Sequence, residues 1–167
     1  MGLPSILILS FSPIATDARV LKQVTLLRDV YEVYTCGHGP APDGVAGHIE
    51  IPSEFAVWRY DRTLLMTRQY RRAYWSNAAI ANAKQQLQGC EFDVVLANDV
   101  DAVGLALSLR PDRGVHADLH EYAPRQKEEL TRWRLFVAPF IRWMCRTFVA
   151  RVLPMSTSVC SVLMPGW

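Results

Sequence analysis

Three ionisable side chains, Asp118, His120 and Glu121, crowd into the run Val115-His116-Ala117-Asp118-Leu119-His120-Glu121-Tyr122-Ala123-Pro124. An imidazole beside carboxylates can hydrogen-bond or polarise charge that develops on a bound group, while Asp118 or Glu121 fixes its tautomer. The competing assignment is a histidine satisfied by a loop carbonyl. Asp118 itself is expected to serve structure by accepting from loop amides. Residues 115–119 read as a short extended segment with Ala117 and Leu119 on one face, and Pro124 drives Ala123 away from helical geometry. The three groups therefore stand where a strand runs out into a loop. Two further clusters have the same address: Asp17 and Arg19 follow the apolar run 6–10, and Asn98, Asp99 and Asp101 follow the expected buried strand 92–97. In an open α/β sheet this carboxyl edge is the ligand edge, because helix N-termini and loop amides converge on it. His116 and His120 have HxxxH spacing, but an extended segment denies them the geometry of a helical zinc pair, and no metal is expected.

To position these groups the chain must build such a sheet. Ile6-Leu7-Ile8-Leu9-Ser10 is a continuous apolar run, as in a parallel strand covered on both faces. A polar loop, 11–16, leads to Val20, Leu21, Val24 and Leu27 at helical spacing, with Thr16 or Asp17 as the cap. Residues 31–36 alternate as a second strand and end at the breakers Gly37-His38-Gly39-Pro40, and 48–52 form a third, edge-like strand. Between Asp61 and Gln88, Ala73, Ser76, Ile80, Ala83 and Leu87 form one helical seam, closed by Gly89. A fourth strand (92–97), a short helix (101–109), a Pro-Asp-Arg-Gly turn and the strand 115–119 follow. Helix is then expected up to Leu153, broken at Pro139, which suits the first position of a new helix, and 157–162 read as a last strand. The predicted class is α/β: a Rossmann-like three-layer sandwich with a mainly parallel sheet and right-handed crossovers. With no helix after the last strand to cover it, the sequence reads as the first half of a longer protein or a truncated descendant of one.

At 167 residues, half of them apolar and a fifth charged, the chain is long enough for one domain with a substantial core. Its formal charge of +2 and lack of a recognition signature give no ground for nucleic-acid binding. Cys36, Cys90, Cys145 and Cys160 lie far apart with no CxxC pair, as reduced thiols of a cytoplasmic protein do. The N-terminus lacks the basic and apolar regions of a signal peptide, and no run approaches the roughly 20 apolar residues of a membrane span.

The runs Asp17-Ala18-Arg19-Val20-Leu21-Lys22-Gln23, Ala97-Asn98-Asp99-Val100-Asp101 and Asp118-Leu119-His120-Glu121-Tyr122 together resemble the N-terminal domain of glycosyltransferase family four. These are retaining enzymes of the GT-B fold, in which two Rossmann-like domains face each other across a cleft. The resemblance spans nearly all of residues 1–167 and implies one half of a GT-B architecture. This half would hold a glycan or lipid-linked acceptor. The donor-binding C-terminal domain, with its paired-glutamate motif, would lie elsewhere, as a missing domain or a partner chain. No resident cofactor is implied; the nucleotide sugar is a co-substrate. His120 matches the family's N-domain histidine near the donor sugar and diphosphate, implying a hydrogen-bonding or polarising role. Asp17, Arg19, Asn98, Asp99, Asp101 and Glu121 are the implied substrate-binding residues. Arg19 would meet an acceptor phosphate, or else pair with Asp17 on an exposed helix face. Asn98, Asp99 and Asp101 would contact acceptor hydroxyls, although capping of the following helix is the favoured assignment for Asp99 or Asp101. Unlike many relatives, the first loop carries Ser10, Ser12 and Pro13 in place of glycines, so its backbone cannot approach a phosphate closely.

Other classes compete. A non-catalytic Rossmann-like subunit could pair with a separate donor-binding chain, and the 167-residue chain alone is expected to be inactive in either case. A nicotinamide dehydrogenase needs GxGxxG after the first strand, which residues 10–15 do not supply. A receiver or flavodoxin-like domain shares the α/β pattern without support from the loops. The aromatic and basic stretches 68–75 and 133–151 could make peripheral membrane contact, with arginines at headgroups and Trp or Phe below, but covering the sheet is their default assignment.

Overall fold

Ile6, Leu7, Ile8 and Leu9 are all buried, as a continuous apolar run in a central strand requires. They lie in β1 (Ser5–Pro13), within the six-stranded sheet of the computed structural model, which describes residues 2–119, 131 and 133–154. The other strands are β2 (Glu32–His38), β3 (Gly47–Ile51), β4 (Val94–Asn98), β5 (Val115–Asp118) and the two-residue β6 (Leu153–Pro154). Their order is β3-β2-β1-β4-β5-β6 and every pairing is parallel. This is the Rossmann order, in which the direction of strand addition reverses between β1 and β4.

Alternation along the strands sorts the core into two layers. Ile6, Ile8, Val33, Val94 and Leu96 meet Val20 and Val24 of α1 (Ala18–Leu27) on one face. Leu7, Leu9, Cys36, Val95, Ala97, Val115 and Ala117 face the other way. That side carries α2 (Arg62–Met66), α3 (Tyr70–Trp75), α4 (Ala78–Gln86), α5 (Val100–Leu109) and α6 (Ala138–Thr147). Right-handed crossovers explain the split, because β1 to β2 and β3 to β4 travel in opposite directions across the sheet.

The expected helix over 61–88 is three helices. Arg68 turns the chain at a φ of 56° after α2, and Asn77 starts α4 by accepting from the Ala79 and Ile80 N–H groups at 3.0 and 3.3 Å. The Asn77 amide also donates to the Val57 carbonyl at 2.8 Å, so its polar side chain competes with helix continuation and wins. Ala73, Ile80, Ala83 and Leu87 are buried as expected, but Ser76, at the break, is exposed. Downstream, helix does not reach Leu153. A π-helical turn (Trp133–Val137) leads into α6, Pro139 sits in its first turn where a missing N–H costs nothing, and Leu153 pairs with His116 in β6. The strand expected at 157–162 lies outside the described residues, as do His120 and Glu121.

Candidate functional site

The first part of the site is made by how β1 ends. Its pairing with β2 is irregular beyond Leu9, which lies opposite Cys36, while Pro13 lies opposite His38. Residues 11–13, expected as loop, therefore continue the strand across the end of β2. Gly37 permits this crossing, since a Cβ there would lie 2.3 Å from the Ser10 carbonyl oxygen and 2.4 Å from the Ile14 side chain. Ser10 Oγ and Ser12 Oγ are 2.9 Å apart, and Ser12 Oγ donates to Asp17 Oδ2 at 2.6 Å. Asp17 is the expected cap of α1, with Oδ1 accepting from the N–H groups of Arg19 and Val20 at 3.0 and 3.3 Å. Burial works against its charge, but the Ser12 hydroxyl, these two amides and the Arg19 guanidinium hold its carboxyl below the ordinary value. The donors at the start of α1, where an anion would dock, are thus taken by the chain's own carboxylate.

Arg19 spans from α1 to the end of β4. Its Nη1 and Nη2 donate to Asp99 Oδ1 and Oδ2 at 3.0 and 2.7 Å, a bidentate pair, whereas Asp17 Oδ2 is 3.9 Å away. The expected exposed Arg19–Asp17 pair is therefore secondary: Arg19 is only 22% exposed and belongs to Asp99. Hydrogen bonding to Asp99 raises the Arg19 pKa against the effect of burial, helped by Asp17 and Asp118.

The capping assignment for Asp99 and Asp101 also fails. Asp99 occupies the N-cap position of α5 but makes no side-chain cap, because both its oxygens are held by Arg19. Its backbone, at φ 68° and ψ 160°, lies in a region that is essentially glycine's, and its N–H donates to the Asp118 carbonyl at 3.0 Å. Asp101, in the first turn of α5, accepts from Tyr60 Oη at 2.6 Å. Burial pushes its carboxyl up to about 6 despite the Tyr60 bond, and Asp99 adds to the effect. In the same turn Tyr74 Oη donates to the Asp101 carbonyl at 2.7 Å and accepts from the Leu105 N–H at 2.9 Å. Gly104 makes room for that hydroxyl, since a Cβ there would lie 2.6 Å from it.

Beneath the Arg19–Asp99 pair, Gln23 and Asn98 exchange amide hydrogen bonds at 2.9 and 2.8 Å, and Gln23 Nε2 also donates to Asp118 Oδ2 at 2.9 Å. Asp118 thus accepts from a side chain of α1, while the loop beyond residue 119, whose amides were its expected donors, lies outside the described residues. Asn98 is buried, so its side chain ties β4 to α1. Gln23 was missed in reading the sequence, although it is a polar residue on the apolar stripe of Val20, Val24 and Leu27. The structure brings together Asp17, Arg19, Asn98, Asp99 and Asp118, and places the Asp101 carboxyl against Tyr60.

The resulting edge sets Asp17, Asp99 and Asp118 around one guanidinium. It is suited to neutral groups that both donate and accept hydrogen bonds, and unfavourable for a free anion. Among the described residues no group of three or more His, Cys, Asp or Glu could hold a metal ion.

A parallel sheet in this order, with a hydrogen-bonded ionic edge at its switch point, defines a Rossmann-like α/β domain. Neither protein-family models nor curated proteins match the sequence. Among solved structures the chain is similar to the glycosyltransferase SnogD from Streptomyces nogalater, at 14% identity and a TM-score of 0.47, covering 88% of this chain and 40% of that one. It is also similar to CalG4, the calicheamicin glycosyltransferase, at 17% identity and a TM-score of 0.49, covering 98% and 41% of the two chains. The chain therefore spans about two-fifths of the length of each.

Proposed function

We propose that this chain is the acceptor-binding, N-terminal half of a retaining GT-B glycosyltransferase, and that the complete enzyme moves a sugar from a nucleotide sugar to a glycan or lipid-linked acceptor. The observation that carries the reading is the edge at the β1–β4 switch point, where Arg19 is held by Asp99 and flanked by Asp17 and Asp118. Carboxylates accept from sugar hydroxyls and a guanidinium donates to them, while the amides at the start of α1 are already bonded to Asp17. A diphosphate is disfavoured on such an edge, so the charged part of the donor belongs on the opposing domain. The family-four resemblance of residues 17–23, 97–101 and 118–122 supports the same assignment. His120, two positions beyond the end of β5, would polarise the leaving phosphate, and Glu121 would meet the acceptor.

Isothermal titration of the chain against a panel of oligosaccharides, polyprenyl-phosphate sugars and nucleotide sugars tests this. Acceptor binding without appreciable nucleotide binding is expected, and Arg19→Ala should weaken it about tenfold, as loss of one charged hydrogen-bonding group does. Nucleotide-sugar binding tighter than that of any acceptor, or turnover by this chain alone, would sink the proposal.

A further inference from the structure

The charges of this chain are segregated. Residues 62–90 and 131–154 hold ten of its 18 lysines and arginines and none of its 16 aspartates and glutamates. The two segments pack on one another: the Tyr70 ring lies 5.7 Å from that of Phe140 and 6.0 Å from that of Trp143, and Tyr74 meets Phe148 at 4.9 Å. Nine of these basic residues are turned outward. Arg62, Arg68, Arg71, Arg72 and Lys84 are exposed, as are Arg134, Arg142, Arg146 and Arg151, and no carboxylate among the described residues lies within ion-pair distance of any of them. The apolar residues of α6 do not share that exposure: Ala138, Phe140, Ile141 and Met144 are buried on the core, while Arg142 and Arg146, four apart, share the outer face. Between the segments lies an open groove of about 630 Å³, rimmed by Arg68, Arg71 and Arg72 and lined by Tyr70, Trp75 and Trp143. Among the exposed large apolar side chains, Trp58 (74%), Met66 (61%) and Leu135 (56%) belong to the segments that pack on the α2–α6 face of the sheet, while Leu26 (66%) lies on α1, on the opposite face.

We propose that this face docks on a bilayer surface containing anionic phospholipid, with the arginine-rimmed groove receiving headgroup phosphates. Charge complementarity selects an anionic partner, since Lys and Arg near an anionic leaflet each add to binding and neither segment carries a carboxylate of its own to oppose it. The exposed apolar residues select a membrane over a nucleic acid: Trp could stack on a base, but Met66 and Leu135 have an apolar phase to enter only at a lipid interface. Contact is peripheral, because no helix among the described residues is long and apolar enough to cross a membrane. The surface is separate from the Arg19–Asp99 edge and holds whether or not that edge binds sugars.

The experiment is sedimentation of the chain with vesicles of phosphatidylcholine alone and of phosphatidylcholine with about 30 mol % phosphatidylglycerol, at low and moderate salt. Binding is expected only to the anionic vesicles and should fall with salt. Arg71→Gln with Arg72→Gln, both exposed and checked for folding by circular dichroism, should reduce partitioning about 30-fold. Trp58→Ala should reduce it several-fold, while Arg110→Gln with Arg113→Gln should leave it unchanged. Equal binding to neutral vesicles, or indifference to the Arg71 and Arg72 changes, overturns the proposal. So does single-stranded RNA that binds as tightly at the same salt and loses affinity through the same arginines but not through Trp58.

Discussion

Asp101 offers the sharpest test of the packing. Its carboxyl titrates near 6 in the folded chain against an ordinary value of 3.8, because it is drawn under α5 among Tyr60, Tyr74 and Cys145. The ionised form is then disfavoured in the folded state by about 3 kcal/mol, and screening at a half-buried site brings this to about 1–3 kcal/mol. The sign follows from proton counting: between 3.8 and about 6 the folded chain keeps a proton that the unfolded chain releases. Stability is therefore fully present below the unfolded value, falls as pH rises through this window, and carries the whole penalty above it. Asp101→Asn removes the charge while leaving a carbonyl that can accept from Tyr60. Urea denaturation across this range should find the variant more stable than the parent by about 1–3 kcal/mol near pH 8, with the difference vanishing near pH 4. Asp17, whose carboxyl is held low, titrates in both chains and cancels from the comparison. A variant less stable than the parent at pH 8, or a difference independent of pH, would refute the assignment.

Asp99→Gly exchanges a strained aspartate for the residue that tolerates a φ of 68°, relieving about 1–3 kcal/mol of strain while losing an ion pair worth up to about 1 kcal/mol. Chemical denaturation should show stability unchanged or raised, titration should show acceptor binding weakened, and a stability loss above about 2 kcal/mol would contradict the strain. Gly104→Ala places a methyl 2.6 Å from Tyr74 Oη and 2.7 Å from Phe148 Cε2; overpacking should outweigh the better helix propensity and lower stability by about 1–3 kcal/mol. Adding Tyr74→Phe, which removes the crowded oxygen, should make the pair less than additive in a double-mutant cycle. Gln23→Leu strands the Asn98 amide and an Asp118 oxygen, and should cost about 1–3 kcal/mol in thermal or urea unfolding.

Much of the sheet was legible because period and composition carry it. Runs such as Ile6–Leu9 and Val94–Ala97 are apolar without alternation, which only a strand covered on both faces explains, and Asp17 announced α1 as a cap whose geometry is local. What escaped was decided at long range. Asn77 breaks the 61–88 seam because the Val57 carbonyl, 20 residues away, competes for its amide. An aspartate at 99 or 101 reads as a cap of the following helix because N-cap aspartates are common, but Arg19, 80 positions before Asp99, takes both of its oxygens. Gln23 stands on an apolar stripe and marked a buried polar contact, yet nothing local names Asn98 and Asp118, 75 and 95 positions on, as its partners. Sequence reading named the edge and most of its residues; the pairing among them is a property of the fold.

The costly features of this structure are concentrated in one turn. At the start of α5, Asp99 stands at positive φ without a side-chain cap, Asp101 is ionised at neutral pH against its burial, and Tyr74 places its hydroxyl between the Asp101 carbonyl and the Leu105 N–H. None of these is needed to make a helix that packs on this sheet, because Val100, Ala102, Val103, Leu105 and Ala106 already bury its apolar face. Gly or Asn at 99, Asn at 101 and Phe at 74 would each remove a local expense. On the proposed function, their coincidence near the β1–β4 switch point is expected of an edge whose carboxylates must be held in place before a ligand arrives. If the edge had no ligand, Asp99→Gly and Asp101→Asn should be improvements without a drawback. A loss of acceptor affinity in Asp99→Gly, alongside undiminished stability, separates these two accounts.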